Sequence, residues 1–213
     1  MYNKILFDLD GTLTDPAVGI TNSVAYALEK FGITVEDKME LCKFIGPPLL
    51  DAFSEYYGFS KEESLKALEY YREYFRSVGI FENKLYPGTA ELLASLKFSG
   101  KRIILATSKP EKFAKIILEH FKIDSYFDFV GGATLDHTRV EKSAVLSYAL
   151  DSVGADRDSS ILVGDRVYDA EGASICGISS LGVLWGHGTY EEIHSSGFTH
   201  VAATPEEVFE ILK

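Results

Sequence analysis

The chain has 213 residues, 46% hydrophobic and 25% charged, enough to bury a substantial core as one domain with a lobe or as two small domains. Its formal net charge of -11 argues against DNA, duplex RNA or an anionic membrane as a partner, because each favours a basic footprint; a small anionic ligand would need a local basic site. Cys42 and Cys176 make neither a CxxC pair nor a disulfide framework, no apolar run is long enough to span a bilayer, and the N-terminus enters a strand without a charged leader, so a soluble protein of the reducing cytoplasm is expected.

In chain order, Lys4 to Leu9 reads as a buried strand followed by Gly11. The stretch from Asp15 to Phe81 then has helical patterns and no convincing strand, so an inserted helical lobe is expected over 15–82. Its longest helix is expected from Lys61 to Val78, with Leu65, Leu68, Tyr71, Phe75 and Val78 on the buried face. Gly79 and the turn Tyr86-Pro87-Gly88 return the chain to a core made of 1–14 and 83–213. There a helix over Ala90 to Leu96 precedes a strand at Arg102 to Ala106, and Phe113, Ile116, Ile117 and Phe121 mark one face of the next helix. Strands follow at Phe127 to Val130, Ser160 to Val163 and Ile178 to Leu184, with a helix through Val145, Leu146, Ala149 and Leu150. Alternating strands and helices imply an α/β fold with a parallel sheet.

Asp8 and Asp10 lie two apart at the carboxyl end of the first strand, so they project to one side. Two acids in a largely apolar strand are costly unless a cation or hydrogen bonds compensate, and the carboxyl edge of a parallel sheet is where open α/β folds bind ligands. A second pair, Asp165 and Asp169, follows Ile161-Leu162-Val163-Gly164 at the same edge, on one side of a helix if Arg166 onward is helical. Together they offer the oxygen ligands that Mg²⁺ prefers. Thr107 and Ser108 follow the strand at Ile103 to Ala106 where a helix is expected to begin, with Ser108 and Glu111 at capping-box spacing, so that edge is a candidate anion site. Lys142, near the start of a later helix, is a candidate for the remaining positive charge.

Asp8-x-Asp10-Gly-Thr-Leu-x-Asp15, Thr107, Lys142 and Gly164-Asp165-x-x-x-Asp169 resemble, in order, the four motifs of the haloacid dehalogenase superfamily. The likeness spans nearly the whole chain. It implies a Rossmann-like three-layer core with a parallel sheet, plus an inserted α-helical cap of the C1 kind. Ile45-Gly46-Pro47-Pro48-Leu49 and Leu105-Ala106-Thr107-Ser108-Lys109-Pro110 resemble segments of the phosphoglycolate-phosphatase-like and 5'-nucleotidase-like members. Relatives often carry Lys-Pro-x-Pro at the third motif where this chain has Arg139-Val140-Glu141-Lys142-Ser143, which leaves Arg139 as an alternative to Lys142.

The resemblance implies a phosphatase acting on small phosphorylated metabolites, with Asp8 as nucleophile and Asp10 as acid and then base. The implied Mg²⁺ would be held by Asp8, the Asp10 backbone carbonyl and Asp165, with Asp169 a ligand directly or through water; Thr107, Ser108 and Lys142 would bind the phosphoryl group. Two crossings into the cap, near Asp15 and Phe81 to Pro87, are expected hinges. Against these readings stand plainer ones: Ser108 as a helix cap, Lys142 as a surface lysine, and the cap aromatics Phe44, Phe53, Tyr56, Tyr57, Tyr70, Tyr71 and Tyr74 as lobe core. Lys43 and Gly46 are candidates for substrate specificity, while His137, His187, His194 and His200 fit no metal-ligand spacing and are expected to be structural or exposed. A phosphomutase like β-phosphoglucomutase would use the same Asp8 chemistry, and a non-catalytic receiver module also gathers acids, a Thr and a Lys around Mg²⁺. The receiver takes its phosphoryl group on a middle strand and lacks an inserted lobe.

Overall fold

The computed structural model describes residues 2–136 and 138–213, so His137 lies outside the described residues. The chain forms two compact units, one from the segments up to Asp15 and from Leu85 onward, the other from Pro16–Lys84. No helix among the described residues is long and apolar enough to cross a membrane.

The larger unit is built on a six-stranded sheet of β1 (Lys4–Phe7), β2 (Arg102–Pro110), β3 (Phe129–Ala133), β4 (Ser160–Gly164), β5 (Ser179–Val183) and β6 (His200–Ala202), in the spatial order β3-β2-β1-β4-β5-β6. Every pairing is parallel, which establishes the expected α/β class. Parallel strands with both faces covered need near-continuous apolar runs. Leu6, Ile104 and Leu162 pack on one face with Val145, Leu146, Ala149 and Leu150 of the helix Lys142–Ser152 and Ala173 of the helix Val167–Cys176. Their strand neighbours Ile5, Phe7, Ile103, Leu105, Ile161 and Val163 alternate to the other face and are equally buried.

Register sets the site. Phe7 pairs with Leu105 of β2 and with Val163 of β4, so the carboxyl end of β1 lies level with the middle of β2 and with the last residues of β4, while β2 runs on to Pro110. The order also reverses direction at β1, with β2 and β3 to one side and β4 to β6 to the other. Such a switch point leaves a crevice beyond the strand ends.

Two elements at the C-terminus have no counterpart in the sequence reading. Strand β6 is three residues long, too short for an alternation to register. The helix Pro205–Leu212 starts at Thr204, whose hydroxyl accepts from the backbone N–H of Glu207. In the helix Glu111–His120 the buried stripe is Phe113, Ala114, Ile117 and Leu118, with Ile116 only half-buried.

The smaller unit contains helices Ala17–Glu29, Leu49–Tyr57 and Lys61–Tyr74, besides a 3₁₀ segment, Lys38–Phe44. Lys61–Tyr74 opens with a reciprocal capping box: the Ser60 hydroxyl accepts from Glu63 N–H, and the Glu63 carboxylate accepts from Ser60 N–H. This helix differs from expectation in length and in face. It ends at Tyr74 and widens into a π-helical turn, Phe75–Gly79, in which Ile80 N–H donates to Phe75 O. The wider turn rotates Val78 out of the stripe, so Val78 is 43% exposed, as is Leu65. The buried stripe is Ser64, Ala67, Leu68, Tyr71 and Phe75. Of the aromatic residues expected in this unit's core, Phe44, Phe53 and Tyr71 are buried, whereas Tyr56, Tyr57, Tyr70 and Tyr74 are half-buried.

Candidate active site

Asp8 follows β1 directly, its N–H donating to Val163 O at 2.9 Å, and Asp165 stands just past the end of the adjacent β4. Asp169 reaches back from the first turn of the helix Val167–Cys176, its Oδ2 accepting from the backbone N–H of Asp165 and of Arg166, each at 3.1 Å. The result is a cluster in which one carboxylate oxygen from each of Asp8, Asp165 and Asp169 lies within 4.8 Å of the others. Asp165 and Asp169 are almost wholly buried.

The cation of the cluster is Lys142. Its Nζ sits 2.8 Å from Asp8 Oδ1 and 2.7 Å from Asp169 Oδ1, and it donates to Ala106 O at 3.3 Å. The alternative cation, Arg139, is engaged elsewhere: Nε donates to Gly132 O, the guanidinium lies 3.6 Å from the Tyr148 ring centroid, and Glu111 is 3.5 Å away. Asp10 is not among the three clustered acids, and its Oδ2 lies 2.5 Å from Lys109 Nζ. Its expected part in metal binding therefore rests on its backbone carbonyl.

Burial sets the electrostatics. It pushes the Asp165 carboxyl up to about 8, helped by the Asp169 and Asp8 carboxylates and opposed by hydrogen bonds from His187 N–H and Thr12. Asp169 is raised by burial too, against the pull of Lys142. Burial works against the charge on Lys142, but Asp169 and Asp8 outweigh it and hold the ammonium above its usual range. Four carboxyl groups, Asp8, Asp10, Asp165 and Asp169, face two ammoniums, Lys109 and Lys142, so that with all four ionised the uncompensated charge equals that of one divalent cation. Asp8 Oδ1 and Asp169 Oδ1 have only the Lys142 ion pair and no hydrogen-bond partner of suitable geometry. Hard carboxylate oxygens gathered in a buried acidic cluster fit a hard cation such as Mg²⁺.

Surrounding loops close tightly on these acids. Thr12 Oγ1 donates to Asp165 Oδ1 at 3.0 Å, and His187 N–H donates to Asp165 Oδ2 at 2.8 Å. Gly11, at φ +86°, leaves space that a Cβ would fill at 2.1 Å from Asp165 Oδ2, and a Cβ on Gly186 would lie 2.4 Å from both Asp165 Cβ and Gly11 O. Trp185 Nε1 donates to Thr12 O, tying the loop after β5 to the loop after β1.

Thr107 is buried at the same edge, its Oγ1 accepting from Lys109 N–H at 3.2 Å. The expected helix start at Ser108 is wrong. Strand β2 continues to Pro110, the helix begins at Glu111, and Pro110 supplies no side-chain cap. The register with β3 shifts between Thr107 and Pro110, so an irregular strand end, not a helix N-terminus, carries Thr107 and Ser108. Lys43 and Gly46 belong to the smaller unit, where exposed Lys43 lies 4.8 Å from the Tyr56 ring centroid and 5.5 Å from that of Tyr57.

Lys109, Trp185 and His187 have neighbours at the acids that the sequence reading did not foresee. Lys109 could have been found as the residue two past Thr107 on one strand face. The Trp185-Gly186-His187-Gly188 loop could have been found from its place after a parallel strand neighbouring β4. His187, expected to be structural or exposed, is half-buried with its ring 3.5 Å from Asp15 Oδ1. His194 stacks on Tyr190, and His200 lies 3.3 Å from the Tyr2 hydroxyl. No histidine joins a metal-competent cluster among the described residues.

A parallel sheet with acids gathered at its switch point defines a doubly wound α/β protein with its site at the carboxyl edge. The family model for haloacid dehalogenase-like hydrolases matches residues 5–183, and the chain belongs to that family as a phosphatase. It is similar to a 5'-nucleotidase of Pseudomonas aeruginosa, 42% identical over all of this chain and 96% of the relative. It is also similar to the tyrosine-protein kinase PtkA of Mycobacterium tuberculosis, 38% identical over 98% of this chain and 72% of the relative. A crystal structure of a predicted phosphatase from Clostridium acetobutylicum superposes with a TM-score of 0.97 at 48% identity, covering all of this chain and 98% of that one.

Proposed function

We propose that the chain is a Mg²⁺-dependent phosphatase of small phosphate monoesters, acting through an aspartyl phosphate on Asp8. The observation that carries this reading is the buried set of Asp8, Asp165 and Asp169 with the Lys142 ammonium between Asp8 and Asp169. Asp8, the Asp10 carbonyl, Asp165 and Asp169 would hold the metal, which when bound neutralises charge on Asp8 and on the phosphoryl oxygens. Asp8 attacks phosphorus in line. Asp10 gives a proton to the departing ester oxygen and then takes one from the water that cleaves the aspartyl phosphate. Lys142 and Thr107, with Ser108 beside it, hold the transferring group, and Lys142 keeps Asp8 oriented.

Nucleoside 5'-monophosphates are the preferred substrates in this reading, which draws on the likeness to the Pseudomonas 5'-nucleotidase. The Pro16–Lys84 unit, read as the cap with Lys43 and Gly46, is proposed to choose among them. A second reading, phosphoryl transfer to a protein tyrosine, is favoured only by the likeness to PtkA. The test is phosphate release from a panel of nucleoside monophosphates, phosphoglycolate and hexose phosphates, with Mg²⁺ or with EDTA and with Asp8→Asn as control. Mg²⁺-dependent release that Asp8→Asn abolishes is expected. Full activity in EDTA or in Asp8→Asn refutes the mechanism, and labelling of a tyrosine peptide without phosphate release favours the second reading.

A further inference from the structure

The mechanism above leaves Lys109 without a task, although it is a lysine only 8% exposed, with its Nζ 2.5 Å from Asp10 Oδ2. The other oxygen, Asp10 Oδ1, is buried with no hydrogen-bond partner. One oxygen of this carboxylate is anchored by an ammonium, and the other is left without a hydrogen-bond partner. Lys109 owes its place to the irregular end of β2, where register with β3 shifts and its N–H turns to Thr107 Oγ1. Gly132 of β3 makes room, since a Cβ there would lie 2.8 Å from Lys109 O. Irregular strand ends re-aim side chains in this way beside active sites. Asp10 is fixed from its own side by the backbone bridge to Thr14, with Gly11 N–H donating to Thr14 O.

We infer that Lys109 is the positioning residue for Asp10: it grips Oδ2 so that Oδ1 meets the ester oxygen in the first half-reaction and the attacking water in the second. The inference rests on the proposed roles of Asp8 and Asp10. In the first half-reaction an Asp8 oxygen bonds to phosphorus, the phosphorus–ester bond breaks, and the ester oxygen takes the proton of Asp10 Oδ1. In the second, the water oxygen bonds to phosphorus, the Asp8–phosphorus bond breaks, and Asp10 Oδ1 takes the water proton. Lys109 exchanges no proton; its charge stabilises the Asp10 carboxylate that exists between the two transfers. A neutral side chain at 109 leaves that half-buried carboxylate without its counter-charge and free to turn.

The test uses Lys109→Met and Lys109→Arg in the full chain with Mg²⁺. An acid is needed to expel an alkoxide but hardly to expel p-nitrophenolate, so leaving groups separate a positioning role from a merely structural one. Lys109→Met should lower kcat on alkyl phosphates by roughly 10- to 100-fold with KM little changed. The p-nitrophenolate burst that marks phosphorylation of Asp8 should stay within about threefold of wild type, and Lys109→Arg should recover part of kcat. In metal-free protein, Lys109→Met and Asp10→Asn should each shift the melting temperature, and the double variant should shift it by less than their sum. A burst lost in proportion to kcat, a change confined to KM, or additive melting shifts overturns the inference while leaving the phosphatase reading intact. If Lys109→Met fails to fold, the same comparison on Lys109→Arg decides: an unchanged alkyl-to-aryl rate ratio overturns the inference, and a selective loss on alkyl esters supports it. A wild-type chain silent on every ester overturns the underlying reading and this inference with it.

Discussion

Replacing Lys142 by Met isolates one charge in the acidic cluster. The lysine stem lies over Gly172, where an added Cβ would be 2.7 Å from Lys142 Cγ, and Met keeps an unbranched chain along that path. What disappears is the ammonium that sits 2.8 Å from Asp8 and 2.7 Å from Asp169, on a side chain only 6% exposed. Removing one partner of a buried ion pair costs about 3–5 kcal/mol, because the other charge remains without compensation. Against a total stability of about 5–15 kcal/mol the loss is large. Urea unfolding in EDTA reads it, followed by the fluorescence of Trp185, the single tryptophan, whose ring nitrogen donates to Thr12 O beside the cluster. The sign with pH is fixed by the direction of the shift. Lys142 is held above its ordinary 10.5, so its contribution is fully present below that value and is lost only as pH rises through the folded-state value. On the acid side the difference between wild type and variant shrinks as the raised Asp169 carboxyl takes up its proton and Lys142 loses that partner charge. A loss below about 1 kcal/mol near neutral pH, the range of an exposed pair, would refute this account, as would an equal loss in strong acid.

Asp8→Asn should abolish turnover while leaving a folded protein, and Asp10→Asn should cost roughly 10²- to 10⁴-fold in kcat; steady-state assays check both. Asp165, pushed up to about 8, keeps a proton in the folded state that the unfolded chain loses near 3.8, so metal-free stability should fall as pH rises between those values. Within the same window Mg²⁺ binding should release a proton, detectable by calorimetry in two buffers of unlike ionisation enthalpy. Gly186→Ala should cost about 1–3 kcal/mol and weaken Mg²⁺ binding, since its Cβ would press on Asp165 and Gly11; urea unfolding and metal titration measure the two effects. Leu146→Ala, in the fully buried cluster under the sheet, should cost about 2–5 kcal/mol by urea unfolding and leave the acids in place.

The sequence alone determined the α/β class, because strands buried on both faces must be apolar throughout and helices between them must show one apolar stripe; Lys4–Phe7 and Val145–Leu146–Ala149–Leu150 carry both signals. It also marked Asp8, Asp10 and Asp165 at or just past strand ends, with Asp169 four residues on, since carboxylates beside such apolar runs stand out against their neighbours. It misjudged what depends on the exact path of the backbone. A helix start expected at Ser108 is an irregular strand end, and Val78 is turned out of its expected stripe by a π-helical turn, differences of one or a few residues that hydrogen bonding decides. Only the tertiary structure decided which cation serves which acid. Lys142 meets Asp8 and Asp169 while Arg139 turns to Glu111 and Gly132, and Lys109 takes Asp10. Those partners lie up to 134 positions apart in the chain, as Lys142 and Asp8 do, and they meet only because parallel register sets the end of β1 beside the middle of β2 and the end of β4. Charge pairing across that distance is a property of strand order and register, which no local pattern of residues encodes.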